Sequence, residues 1–537
     1  MKSKHLNHLL ILGAFILSTT INAQNSGAFT AKKAELKEAE LKRWSHLDLT
    51  KDSVPGMSVD KAYAELLKNK KGVKVIVGVV DSGVDIEHED LKSVIWTNKK
   101  EIAGNGKDDD KNGYIDDIHG WNFLGNITKE NYEYARIANN KNLADEKTYN
   151  AAKAEMESKI KEAVAAKSQM EKVLEGTTKA DQIIAKHLGK PVYTMEEVSK
   201  ITSSDPEISK SKMIMQQMLS YGLSVEALKK EIKDQYDSYA KLESNAAFVD
   251  YRKVLGDNPD DIKDTKYGNN NVIGPDKKEV KHGTHVAGII AQTRNNNIGG
   301  DGIANNVEIL TVRAVPDGDE YDKDIALGIR YAVDNGAKVI NASFGKSYSP
   351  HKQWVYDAIK YAEKKDVLIV HAAGNDAKDI DVENNFPNDS DDKKTEFANN
   401  VITVGALNYK YGEDIAANFS NFGKLNVDVF APGVKIYATT PENTYEFLQG
   451  TSMASPNVAG VAALIRSHYP KLSAAQVKRV LMESGIAIET KVRVGENPND
   501  KKAFSELSKS GRIVNAYNAL KMAEQLSKNP KMQNFKG

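Results

Sequence analysis

The chain has 537 residues, with 74 Lys and Arg balanced by 74 Asp and Glu, so its net charge gives no reason to expect nucleic acid or an anionic membrane as a partner. It contains no cysteine, which excludes disulfide bracing and lipid attachment at a cysteine. Stability must then come from a large core, helped by any bound metal, and the length suffices for one large domain plus an extra module.

Residues 1–23 carry Lys2 and Lys4, an apolar run over 9–17 and a short polar end at Ile21-Asn22-Ala23. This reads as a secretory signal peptide, too short to span a membrane, and no later segment approaches transmembrane length. The mature protein is expected to be exported and soluble, extracellular or periplasmic. Residues 24–55 form an N-terminal segment, with a solvated helix predicted over 29–44. The main domain is divided into residues 56–123 and 276–526, separated by an insert at 124–275 and followed by a tail at 527–537. Ser58 is expected to cap a helix running from Val59 to about Leu67.

Residues 75–80, Val-Ile-Val-Gly-Val-Val, are apolar and rich in β-branched side chains, the pattern of a strand buried on both faces of a parallel sheet. Asp81 ends it, where open α/β sheets place their chemistry. Further on, Asp108, Asp110 and Asn112 alternate ahead of Gly113, which sets hard oxygen ligands on one side of a tight loop and makes calcium the natural occupant. The candidate ligands are Asp108, Asp110, Asn112, Tyr114 and Asp117, with Asp116 the alternative distal acid; a solvated acidic turn is the plainer reading.

The insert changes composition to Lys, Glu, Ala, Met and Ser. Tyr149, Met156, Ile160, Ala163, Met170 and Leu174 keep a helical spacing, as do Val225, Leu228, Ile232, Tyr236 and Tyr239. Thr194 with Glu197 predicts a capping box, and Asp205-Pro206 a helix start. His282 then opens a helix, with His285 expected to pack inside. As a zinc pair the two lack the spacing and the intervening Glu of the helical metalloprotease motif. Strand and helix alternate from Val307 to Ala372, predicting a doubly wound parallel sheet. Strand ends carry Ser343-Phe344-Gly345 and Ala372-Ala373-Gly374-Asn375. A small-residue turn at Gly450-Thr451 leads into an apolar helix ending near His468. Ser452 stands at that helix's N-terminus, exposed as a nucleophile would be, and Pro456 is placed in its first turn.

Asp81, His282 and Ser452 follow the order Asp, His, Ser, and their surroundings Val79-Val80-Asp81-Ser82-Gly83-Val84, His282-Gly283-Thr284-His285-Val286-Ala287-Gly288 and Gly450-Thr451-Ser452-Met453-Ala454-Ser455-Pro456 resemble the three signatures of subtilisin-like serine peptidases. The resemblance implies a serine endopeptidase on a seven-stranded parallel sheet flanked by helices. Ser452 would be the nucleophile, His282 the base, Asp81 its orienting acid and Asn375 an oxyanion donor. Ser343, Phe344, Gly345, Ala372, Ala373 and Gly374 would line the substrate groove. Asn385 would sit at the floor of the S1 pocket, where it should disfavour large aromatic residues. Asn421 resembles a structural position. The insert leaves the main domain after the Asp81 strand and returns just before His282, so its ends must lie near the cleft. It either covers one side of the groove or packs away as a stabilising appendage. Two competing readings are a scaffold with an idle triad and a secreted esterase. The second is disfavoured because no Gly-x-Ser-x-Gly surrounds Ser452.

Overall fold

A computed structural model describes residues 35–529 apart from 221–223, 245–247, 496 and 498, together with Phe29 and Lys32. The signal-like residues 1–23 lie outside the described residues. No helix among the described residues is long and apolar enough to cross a membrane.

The N-terminal segment departs from the single solvated helix expected. Among the described residues of 29–44 the α-helix is confined to α1 (Glu38–Leu41), and Trp44, which opens a 3-10 turn (Trp44–His46), is 1% exposed, its indole N–H donating to the carbonyls of Val434 at 3.0 Å and Lys435 at 3.2 Å. Burying an indole outweighs the helix propensity of its Ala- and Lys-rich neighbours. A short α2 (Leu49–Asp52) follows under an Asp48 cap, then α3 (Val59–Ala62), which runs into a π-helical turn at Tyr63–Leu67. Ser58 does not cap α3. Its φ is 57° and its hydroxyl accepts instead from Asn515 Nδ2 at 2.7 Å, so a contact from the far end of the chain sets this helix start.

The sheet is built around β1 (Val75–Asp81), with β2 (Gly120–Asn122), β3 (Val307–Arg313), β4 (Val339–Ala342), β5 (Leu368–Ala372), β6 (Val401–Leu407) and β7 (Val429–Pro432). Its order is β2-β3-β1-β4-β5-β6-β7, all parallel. This is the expected parallel core. The chain continues through a hairpin of β8 (Ile436–Thr440) and β9 (Thr444–Leu448), then β10 (Ile486–Ala487), a second hairpin of β11 (Lys491–Arg493) and β12 (Lys501–Ala503), and β13 (Arg512–Ile513). β13 and the antiparallel β10 extend the sheet beyond β7.

Alternate strand residues feed two cores. Val77, Val79, Val339 and Val370 join one with Val286 and Val458, while Val80, Ile340 and Ile369 join the other with Ile325 and Val355. The first is covered by α9 (Lys281–Ala291) and α12 (Thr451–His468), the second by α10 (Asp322–Asp334) and α11 (Lys352–Lys364). Burial on both faces explains why β1 reads as an unbroken apolar run. The chain reverses direction across the sheet between β1 and β4, the switch point at which open sheets leave a crevice beyond their strand ends.

Pro456 is the sixth residue of α12 and not in its first turn. A proline there leaves the carbonyl four residues back without its helical donor. That carbonyl belongs to Ser452, and it accepts from Ser343 Oγ at 2.9 Å instead. Two later helices, α13 (Ala474–Glu483) and α14 (Ala516–Lys528), pack against α12.

The insert is helical as expected: α4 (Glu133–Asn139), the 43-residue α5 (Glu146–Leu188), α6 (Met195–Ser199), α7 (Pro206–Leu219) and α8 (Val225–Ser244). Thr194 and Glu197 form the capping box, and Asp205 caps the helix that begins at Pro206. The stripe expected from Tyr149 to Leu174 is only partly covered, Ala163 alone being buried. The insert's own core lies toward the other end of α5, where Ala180 and Ile184 meet Tyr193, Val198, Met215 and Val225.

Candidate active site

Three chain segments converge at the switch point. Asp81 is the last residue of β1 and 1% exposed; its Oδ1 accepts from the Ser82 N–H at 2.7 Å and from His282 Nδ1 at 2.7 Å. His282 is the second residue of α9, with 39% of its side chain exposed. Gly283 permits this approach, because a Cβ there would lie 2.0 Å from the Gly83 carbonyl. Removal from water pulls the His282 pKa down, but the Asp81 charge and hydrogen bond outweigh that and leave it above the ordinary histidine value. A carboxylate on Nδ1 also holds the proton there, so Nε2 carries the lone pair. His285 is buried with its Nε2 on the Glu446 carbonyl at 3.1 Å, and burial drives its pKa down to about 3.

Ser452 is the second residue of α12, and its hydroxyl donates to the Ser343 carbonyl at 3.2 Å. Beneath it lies a network that the motifs did not reveal. Asn341 Nδ2 donates to Ser343 Oγ at 2.8 Å, Ser343 Oγ donates to the Ser452 carbonyl, and Ser455 Oγ donates to Asn341 Oδ1 at 2.8 Å. Its sequence signal is a polar Asn341 in the buried strand β4. Asn375 points its oxygen at Thr451, accepting from the N–H at 2.8 Å and from the hydroxyl at 3.0 Å. That orients the amide and leaves its NH2 group for the cavity.

Ser452, Thr451, Asn375, Phe344, Gly345, Ala372, Gly374 and Asn385 line one cavity of about 850 Å³. Ser343 and Ala373 lie behind this surface, 3% and 0% exposed. Gly374 takes φ 101°, and a Cβ there would sit 2.3 Å from Asn421 Nδ2. Asn421 in turn donates to the Ala373 carbonyl and accepts from the Asp376 and Lys378 N–H groups, a structural clamp on the turn. His371, buried and with its pKa pulled down to about 4 by burial, holds the Phe344 carbonyl at 2.9 Å.

At the acidic loop, carboxylate oxygens of Glu101, Asp108 and Asp110 lie within 4.8 Å of one another. Glu101 was not a sequence candidate, because it stands outside the alternating run. Its oxygens accept from the N–H groups of Asp109, Asp110 and Asp116. Asp117 is fully buried beneath the loop and accepts from Asn98, Asn112 and Tyr331, with burial raising its pKa to about 6. The Asn112 side chain is thereby turned to Asp117 and to the Tyr114 N–H, and the Tyr114 ring packs on Trp121 and Tyr331.

The sequence model of the Subtilase family matches residues 72–509. The thermophilic serine proteinase of Bacillus sp. (strain AK1) is 46% identical over 187 residues, 35% of this chain and 42% of that protein. Subtilisin DY of Bacillus licheniformis is 40% identical over 204 residues, covering 37% and 68%, and thermitase of Thermoactinomyces vulgaris is 40% identical over 187 residues, covering 35% and 61%. The chain thus spans about two fifths to two thirds of the length of these relatives.

Proposed function

Because the chain belongs to the subtilase family, we propose that it is an exported serine endopeptidase working through Asp81, His282 and Ser452. The observation that carries this reading is the 2.7 Å bond from His282 Nδ1 to a buried carboxylate, which leaves Nε2 as the only basic nitrogen. Ser452 Oγ attacks the scissile carbonyl as His282 takes its proton at Nε2. The same proton then passes to the leaving amine, and water repeats the sequence on the acyl-enzyme. Asp81 stabilises the imidazolium formed in each step. A fluorophosphonate probe tests the proposal directly: an activated Ser452 labels, and an idle triad does not.

The oxyanion is assigned to the Asn375 NH2 and the Ser452 N–H, the latter also favoured by the positive end of α12. Asn375→Leu should lower kcat by about two to three orders of magnitude with little change in KM. A change confined to KM would mean that the amide contacts ground-state substrate. Asn385 is assigned to the S1 floor, so peptides with Phe or Tyr at P1 should be poor substrates, and Asn385→Gly should improve them about tenfold relative to small P1 residues. Preferred cleavage after Phe or Tyr by the unaltered enzyme would overturn that assignment.

Calcium is proposed at Glu101, Asp108 and Asp110. Three carboxylates crowded into one loop supply hard oxygen donors and repel one another until a cation offsets them. The ion would tie the loop down and do no chemistry. Saturation at a hundred times Kd is worth about 2.7 kcal/mol, so a chelator should lower Tm by a few degrees and speed self-digestion, and Asp110→Ala should reproduce both effects. An unchanged melting curve in chelator would refute the site.

A further inference from the structure

We propose that the insert is a fixed outer wall of the substrate groove, selecting extended, unfolded peptide segments and contacting them on the acyl side of the scissile bond; this rests on the peptidase reading above. The cavity that holds Ser452, Asn375 and Gly345 is also lined by Tyr132, Tyr134, Glu155, Lys159 and Glu162, all from the insert. Tyr132 and Tyr134 stack at 5.5 Å and 6°, and Tyr132 remains 45% exposed, an aromatic surface presented within the cavity. Tyr348, three residues past Gly345, donates to Glu155 Oε2 at 2.8 Å and ties α5 to the rim. An open groove admits a loop protruding from a folded protein. A groove walled on this side admits a single strand and excludes the bulk behind such a loop.

The wall is clamped at its root. Lys346 directly follows Gly345, is buried, and bonds Glu133 Oε2 at 2.6 Å, Asp322 Oδ1 at 2.9 Å and the Glu320 carbonyl at 2.7 Å. Arg136 grips the same Glu133 through two nitrogens, at 3.1 and 2.6 Å. Where the insert returns, Arg252 pairs with Asp324 at 2.7 and 2.8 Å and with Asp257, which Lys323 also holds. Groups this buried cannot part without stranding a charge. The wall and the Phe344–Gly345 segment therefore move as one body, unlike a hinged lid.

The clamp dictates the test, because deleting the whole insert would strand Lys346, Asp324 and Lys323. Leu143 and Phe248 line the same cavity, so a Gly-Ser linker long enough to span it can replace residues 144–247 while Glu133, Arg136 and Arg252 stay. The trimmed enzyme, shown intact by fluorophosphonate labelling, should cleave folded proteins at least tenfold better relative to short peptides. An unchanged ratio in a labelling-competent variant overturns the proposal. A second arm needs no trimming. Full-length Ser452→Ala is incubated with an extended peptide carrying a benzophenone on the acyl side and irradiated. Crosslinks at 132–134 or 155–166 are expected, and crosslinks confined to the main domain overturn the wall. Failure of the peptidase reading looks different, since the unaltered full-length chain would then neither label nor cut peptides.

Discussion

Ser452→Ala should abolish labelling by a fluorophosphonate and lower kcat about a millionfold, the loss the same constellation shows in subtilisin, while substrate still binds. The physical reason is that no other oxygen takes the place of Oγ. Among the described residues its hydroxyl bonds the Ser343 carbonyl, at 3.2 Å, so removing it strands nothing that holds the fold, and Tm should shift by no more than the equivalent of about 0.5 kcal/mol. The helix start stays in place because its anchors are other atoms: the Ser452 carbonyl on Ser343 Oγ and the Thr451 N–H on Asn375 Oδ1. His282→Ala should cost about as much, and the double variant no more than either, because nucleophile and base act as one unit. Substantial turnover in a pure Ser452→Ala sample would place the nucleophile elsewhere.

Local rules carried the sequence reading wherever the cause of a structure lies within a few residues of it. The β-branched run before Asp81, the Thr194 and Glu197 pair and Asp205-Pro206 each contain their own explanation, and β1, α6 and α7 form accordingly. Reading failed where the cause lies far along the chain. Trp44 looks like part of a polar helix until its partner Val434 is known, and Ser58 looks like a cap until Asn515 takes its hydroxyl. Pro456 looks like a first-turn residue. It sits deeper because Ser343, more than a hundred residues earlier, supplies the donor that the proline lacks. The candidate site divides in the same way. Asp81, His282, Asn375 and Ser452 stand in short motifs, and so does Ser455, but what Ser455, Asn341 and Glu101 do comes from contacts that no spacing announces. The insert's helical character was legible in its periodicity. Which of its residues face the cleft was not, since that depends on how the buried Glu133, Arg136 and Lys346 cluster sets α5 against the rim.

The second large effect is expected at Asp81. Asp81→Asn should lower kcat/KM about ten-thousandfold, and it should also move the pH profile, which distinguishes an electrostatic loss from general damage. In the unaltered enzyme His282 must be neutral at Nε2 to accept a proton. Its pKa is held above the ordinary histidine value, so activity should fall with acid along a limb that lies above pH 6.5. Asparagine has two ways to sit in this place. With its oxygen toward His282 and the Ser82 N–H it preserves the contacts but removes the charge that stabilises the imidazolium. Flipped, it offers NH2 to Nδ1, which forces the proton onto Nε2 and leaves no base facing Ser452. Both arrangements remove the Asp81 charge, the larger of the two influences that raise the His282 pKa, while the burial that lowers it stays, so the residual activity should show an acid limb at lower pH than the parent. A limb that stays put, or an activity within tenfold of the parent, would mean that the 2.7 Å contact holds His282 in position without contributing charge to the reaction.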